Sequence, residues 1–341
     1  MMNGGDALQK RHRLRKRDII VIAGIVLAVL VLLYLGAQWL EDQEIKPEPR
    51  GDYHLRYEDE QMTMNGVTYR QRSGLTTILF MGIDQDSEER DIGNYRNGGQ
   101  ADFLRLLVID PSEKTISQIQ IDRDTLTPIT ILGVLGNRSG TRTMQIALSH
   151  GFGDGKEQSC ELTVEAVSNL LFNVPIKYYV AMNLDGISVM NDSLDGITVT
   201  LEDDFSHLDP TMTKGKTLTL VGDQAELFVR SRMSVGVGTN EARMARQQQY
   251  LTAMMDRLNE KIHADSNYVG TLFDALAPYL VTSISRSAMI TEAWTARDYQ
   301  RIPVKQPQGV HQVGESGYME FLVDENSLAQ IVLDTFYEKV K

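Results

Sequence analysis

The pattern of hydrophobic and polar positions first separates one long apolar run from a set of short ones. Ile19 to Leu40 is 22 consecutive residues without a charge, a length that crosses a bilayer core as a helix. Tyr34 and Trp39 stand toward its far end, where an interfacial aromatic belt belongs. The run is longer than a usual signal-peptide core and no clear small-x-small cleavage site follows it, so the pattern predicts an uncleaved single-pass transmembrane helix over 19–40. The basic tail, residues 1–18, precedes it. The positive-inside rule then puts the N-terminus in the cytoplasm and the C-terminal domain outside the cell membrane. Residues 41–74 are charged and proline-bearing, then polar. They predict an extracellular stalk leading into edge strands, with Val67-Thr68-Tyr69-Arg70 as one of them.

Beyond residue 74 the apolar runs shorten to strand length. Thr76–Ile83, Phe103–Ile109 and Thr115–Ile121 predict three buried strands. Arg105 interrupts the second and is expected to find an acidic partner. Gln85–Gln100 predicts a long functional loop, and Thr125–Gly155 reads as irregular. A helix is predicted from Ser159, with Cys160, Val164, Val167 and Leu171 on its core-facing stripe. A strand (Tyr178–Met182), a short helix (Leu184–Leu194), a strand (Ile197–Leu201) and a helix (Gly222–Val229) follow. A long helix starts near Asn240. The remainder predicts an apolar helix around Leu272–Leu280, a proline- and glycine-rich loop (Pro303–Gly317) and a final amphipathic helix over Glu325–Tyr337. Such alternation predicts one layered α/β domain with a central mixed β-sheet flanked by helices. Residues 75–262 would form its core, and 263–341 a C-terminal helical part packed on the same domain.

Charge narrows the function classes. The net charge is −12, yet the first 18 residues carry six basic groups against two acidic ones. The rest of the chain is therefore still more acidic, the opposite of a nucleic-acid binder. A single cysteine excludes an internal disulfide framework, and the six histidines show no zinc-type spacing. A bound metal would be a hard ion such as magnesium or calcium, held by carboxylates.

The polar outliers cluster at predicted element ends: Asp84, Asp102, Arg123, Asp124, Arg230, Arg232, Arg243, Arg246 and Gln247. No Ser-His-Asp set, P-loop or dinucleotide fingerprint is present. Five arginines with several carboxylates are the inventory for a polyanion, above all a pyrophosphate. Guanidinium forks match phosphate oxygens two at a time, and carboxylates can hold a magnesium ion that bridges the same oxygens.

With these residues the chain resembles the LytR-CpsA-Psr (LCP) family of the Gram-positive cell envelope. The matching motifs are Leu79-Phe80-Met81-Gly82-Ile83-Asp84, Gln100-Ala101-Asp102, Ile121-Asp122-Arg123-Asp124-Thr125, Val229-Arg230-Ser231-Arg232, and Arg243 with Arg246-Gln247-Gln248. The resemblance implies an LCP-like fold and a phosphotransferase. Such an enzyme moves an anionic glycopolymer, teichoic-acid-like or capsular, from a polyprenyl (undecaprenyl) pyrophosphate carrier to peptidoglycan, with Mg2+. By that resemblance Asp84 and Asp102 would hold the metal, and Arg123, Arg230, Arg232, Arg243 and Arg246 would bind the pyrophosphate. Asp124 would orient an arginine, and Gln247 would contact a phosphate or the arginine network. Asp84 or Asp102 would serve as base on the acceptor hydroxyl. The chain departs from the family's pattern at Gln85-Asp86, where an arginine usually follows the first aspartate. Ala101-Asp102-Phe103 replaces the usual Ser-Asp-Thr, and Asp122 replaces the proline before the central arginine. A Lys/Asn-bearing motif is only echoed by Arg142, Gln145 and His150. Two other readings stand beside the transferase: a membrane-anchored, non-catalytic binder of a pyrophosphate lipid, and a transcriptional regulator, which the acidic charge and outward topology disfavour.

Overall fold

The computed structural model describes residues 61–64, 66–85, 98–133, 136–231 and 235–340. The basic tail, the predicted transmembrane run, most of the stalk and Arg232 lie outside them. Among the described residues no helix is long and apolar enough to cross a membrane.

The chain enters through β1 (Gln61–Met64) and β2 (Val67–Gln71), then β3 (Thr76–Ile83), β4 (Ala101–Asp110) and β5 (Thr115–Ile121). β6 (Leu126–Leu132) and β7 (Arg138–Gln145) lead to a single turn of helix, α1 (Leu148–Gly151), and to α2 (Glu157–Leu170). Next come β8 (Tyr178–Met182), α3 (Asp185–Ser193), β9 (Ile197–Thr200), β10 (Thr217–Leu220), α4 (Asp223–Arg230) and the long α5 (Asn240–Ala264). The C-terminal part holds α6 (Tyr268–Leu276), β11 (Leu280–Thr282), α7 (Arg286–Ala296), β12 (Gln300–Arg301), β13 (Gly309–Val313), β14 (Met319–Val323), α8 (Glu325–Phe336) and β15 (Tyr337–Lys339).

A mixed six-stranded sheet, ordered β11-β8-β3-β4-β5-β12, is the centre of the fold. β4 runs antiparallel to both β3 and β5, and β11 to β8, while β8 joins β3 and β12 joins β5 in parallel. Both faces of these strands are covered, which is why their sequences read as continuous apolar runs and not as alternation. On one face Leu79, Met81, Leu104, Leu106, Ile119 and Ile121 join a core with Cys160, Val167 and Leu170 of α2 and Leu328, Val332 and Phe336 of α8. On the other, Ile78, Ile109, Ile116 and Val180 pack with Ile284 and Ala296. A separate core of Ile197, Val199, Phe205, Leu220, Phe228 and Tyr250 binds the β9–β10 hairpin to α4 and α5. It fixes the position of those two helices, each of which carries a candidate arginine.

Three expectations are corrected. The segment Thr125–Gly155 is largely a hairpin, β6 with β7, paired from Leu126↔Gln145 to Leu132↔Arg138. Its second strand, RSGTRTMQ, buries none of its residues and carries no apolar signal. The loop Pro303–Gly317 contains β13, paired with β14 from Gly309↔Val323 to Val313↔Met319. The C-terminal part is not purely helical, because β11 and β12 close both edges of the central sheet and β15 pairs with β2. α7 gives no helical signal in the sequence, because Ala288, Met289, Ile290, Ala293 and Trp294 are spread round its circumference and form no stripe.

Candidate functional site

Antiparallel pairing brings the candidate residues to one end of the sheet. β3 and β5 end where β4 begins, so the residue after β3 (Asp84), the second residue of β4 (Asp102) and the turn after β5 (Arg123) share that edge. One carbonyl, Gln100 O, accepts both Asp84 N (2.9 Å) and Asp102 N (3.0 Å). Gly99 makes the close approach there with φ +70°, and an added Cβ would meet Ile83 Cγ2 at 2.9 Å.

Arg123, four-fifths buried, donates Nη1 to Asp102 Oδ1 and Nη2 to Gln100 Oε1. Its Nε lies 3.4 Å from Asp124 Oδ1. From α5, Arg243 Nη1 approaches the other oxygen of Asp102, Oδ2, at 3.4 Å. One carboxylate thus stands between two guanidinium groups. Arg230, the last residue of α4, is half exposed; its Nη1 lies 2.9 Å from Glu226 Oε1 and its Nη2 3.5 Å from Asp84 Oδ1. Asp102, Arg123, Asp124 and Arg243 therefore form one ion-pair group, and Asp84 with Arg230 and Glu226 a second, the two joined through the Gln100 carbonyl.

Arg246 and Gln247 point elsewhere. Arg246 is 5% exposed, and its Nε donates to Phe228 O (3.2 Å), Nη2 to Ser231 O and Nη1 to Asp203 Oδ2 (3.1 Å). Gln247 Nε2 donates to Val229 O at 3.2 Å. Together they satisfy Phe228 O and Val229 O at the end of α4, which the helix leaves without intrahelical partners, and Ser231 O just beyond it. They hold the helix that presents Arg230. Burial lowers the Arg246 pKa, against the pull of Asp203. Arg105 is a further correction. Among the described residues its partners are not acidic: Gln118, Gln120 and Gln248 offer their side-chain oxygens, the last at 2.7 Å. Burial pushes its pKa down to about 10.

The sequence motifs contain Gln100, Asp122 and Gln145 without assigning them a role, and they do not contain His311. The Gln100 side-chain oxygen accepts from Arg123. Asp122 is buried, accepts Asp124 N at 2.9 Å and pairs with His311 Nε2 at 3.0 Å. Gln145 Nε2 reaches Asp124 Oδ1 at 3.3 Å. The signal for Asp122 was its replacement of a proline; His311 gave none, because its strand was not recognised.

Asp84 and Asp102 offer oxygen ligands only, which fits a hard divalent cation of the kind held by one or two carboxylates plus substrate phosphates. Each carboxylate here already faces arginine. A free anion would compete with these carboxylates for the guanidinia, and a free cation would compete with the guanidinia for the carboxylates. A cation and an anion arriving as one unit would supply both counter-charges together and leave no charge uncompensated.

The chain is similar to known proteins in both sequence and fold. A polyisoprenyl-teichoic acid–peptidoglycan teichoic acid transferase, TagU of Halalkalibacterium halodurans, is 25% identical over 239 residues, 70% of this chain and 69% of that protein. TagV of Bacillus subtilis, which bears the same transferase name, is 32% identical over 191 residues, 54% of this chain and 44% of its own length. Among solved structures, B. subtilis TagV aligns with a TM-score of 0.59 at 21% identity, covering 77% of this chain and 98% of that one. TagT bound to LI-WTA aligns with a TM-score of 0.58 at 21% identity, covering 77% and 90%. These two show the fold. The family model described as LytR_cpsA_psr matches residues 49–335, most of the chain, and the protein accordingly belongs to the LytR_cpsA_psr family.

Proposed function

We propose that this protein is a phosphotransferase that moves an anionic glycopolymer from a polyprenyl pyrophosphate carrier to peptidoglycan. The observation that carries this reading is Asp102 held between Arg123 and Arg243, with Arg230 and Asp84 adjoining. The names of TagU and TagV support the same substrate class.

On this reading Arg123, Arg230 and Arg243 receive the pyrophosphate oxygens, with Arg232 beside Arg230 in sequence. Arg246 and Gln247 hold the end of α4 in place. The acceptor sugar hydroxyl attacks the phosphorus next to the glycan, and the bond from that phosphorus to the bridging oxygen breaks. Polyprenyl phosphate leaves, and the hydroxyl proton passes to Asp84 or Asp102. The side chains mainly position the groups and neutralise charge, which is most of what phosphoryl transfer requires. Mg2+, when bound, would be held by Asp84 and Asp102 and would supply further neutralisation of phosphate charge. The run Ile19–Leu40 would anchor the chain in the cell membrane, with the domain on the outer face where the lipid carrier presents its glycan.

The test uses the full chain in detergent with a polyprenyl-pyrophosphate glycan, peptidoglycan and Mg2+, and reads glycan bound to peptidoglycan. Transfer that EDTA abolishes supports the proposal. Tight lipid binding with no transfer replaces it with the non-catalytic binder.

A further inference from the structure

We infer that the β13–β14 hairpin is a brace for the Arg123 turn, and that His311 and Asp122 are positioning residues acting through Arg123. This inference rests on the reading of Arg123 as a pyrophosphate ligand.

The turn 122–125 is held at almost every polar backbone group. Arg123 O accepts Ala147 N at 3.1 Å, Thr125 O accepts Ile146 N at 2.8 Å, and Asp122 O accepts Thr125 N at 3.1 Å. The hairpin adds one more backbone bond. Phe321 N donates to Asp124 O at 2.8 Å. Gln145 spans the two elements, donating to Asp124 Oδ1 and to Met319 O. The Asp122 carboxylate is wholly buried and works on both sides: Oδ1 accepts Asp124 N, and Oδ2 faces His311 Nε2 at 3.0 Å. The His311 ring packs on Phe321 with centroids 4.6 Å apart, so its angle of approach is fixed.

A buried carboxylate is costly unless its lone pairs are met. Asp122 therefore has a strong reason to keep His311 in place, and with it the hairpin. What this fixes is the direction in which the Arg123 side chain leaves the turn, toward Asp102. Asp122, Asp124 and His311 also bring ligand atoms within 4.8 Å of one another, as a metal site does. Asp124 N, Gln145 and His311 already serve those oxygens, which favours the brace.

Three variants of the full chain in detergent separate the possibilities. His311→Phe keeps the ring against Phe321 and removes the donor; His311→Gln keeps an N–H donor and removes the ring. The third combines His311→Phe with Arg123→Ala. The first readout is the Arg123 Nε–H resonance in arginine-labelled protein without ligand. It should shift or broaden in His311→Phe and return toward the wild-type position in His311→Gln. The second is the affinity for polyprenyl pyrophosphate with Mg2+. His311→Phe should weaken it by about tenfold, within the range that small misplacements produce, and should add nothing in the Arg123→Ala background. An unchanged Arg123 resonance in His311→Phe overturns the brace, as does an undiminished loss of affinity in the double variant. If wild-type protein binds no pyrophosphate lipid, the functional reading fails, while the resonance still decides the brace.

Discussion

Arg243 reaches from α5 to within 3.4 Å of Asp102 on β4, joining a helix and a strand 141 residues apart in sequence. Arg123 holds the other oxygen of the same carboxylate, so Asp102 keeps two guanidinium groups together. Asp102→Asn removes that competition. It should tighten binding of inorganic pyrophosphate in the absence of magnesium and weaken the response to added magnesium. It should also lower turnover by about a hundredfold or more, the scale seen when one electrostatic partner is lost. Titration calorimetry with and without Mg2+ checks the first two effects. An unchanged magnesium response would contradict the placement of the metal at Asp102.

Arg246 and Arg230 sit at opposite extremes of exposure, 5% for Arg246 and a half-exposed side chain for Arg230. Removing Arg246 strands Asp203 and the carbonyls of Phe228 and Ser231. Arg246→Ala should therefore destabilise by about 3 kcal/mol, as breaking a buried pair does. Arg230→Ala should change stability by less than about 0.5 kcal/mol yet weaken pyrophosphate binding. Urea unfolding beside a binding isotherm for each variant distinguishes structural clamp from ligand contact.

Gly99 precedes the carbonyl that joins Asp84 to Asp102. Its φ of +70° and the Cβ contacts at 2.9 Å to Ile83 Cγ2 and 3.1 Å to Gln85 Cβ leave no room for a side chain. Gly99→Ala should cost about 1–2 kcal/mol from the left-handed backbone alone, and should displace Gln100 and Asp102. Thermal unfolding and turnover should fall together.

Asp110 ends β4 and ties the turn to Arg72, accepting Ser112 N at 2.9 Å, Glu113 N at 3.1 Å and Arg72 Nη1 at 3.1 Å. Burial pushes its pKa up, but the Ser112 hydroxyl, the two amides and Arg72 outweigh that and hold it below 3.8. A depressed carboxylate stabilises the fold above its unfolded pKa and loses that contribution as pH falls through the folded one. Asp110→Asn should be less stable than wild type by about 1–2 kcal/mol at neutral pH, and the gap should close below pH 3.8. Denaturant midpoints across pH 2–7 measure it.

The sequence carried those parts of the fold whose signal is local. β3, β4 and β5 were legible because both faces are buried and the runs are continuously apolar; α2 and α8 were legible because each buries a stripe. β7 and β13 were not, since a solvent-facing strand is defined by its partner and not by its own composition. The arginines and aspartates were visible as charges at element ends, yet their division of labour was not. Arg243 and Arg246 lie three positions apart on one helix. Only the packing of α4 shows that the first turns to Asp102 and the second to backbone carbonyls.

The most direct test of the account is release of polyprenyl phosphate from a polyprenyl-pyrophosphate glycan by the full chain, for wild type, Arg123→Lys and Arg123→Ala. The account predicts magnesium-dependent release by wild type. It also predicts a large loss in Arg123→Lys, which keeps the charge but not the fork, and no release from Arg123→Ala. Release by Arg123→Ala at the wild-type rate would contradict it, and would leave the Arg123–Asp102–Arg243 group as an ion-pair network that holds the sheet edge together.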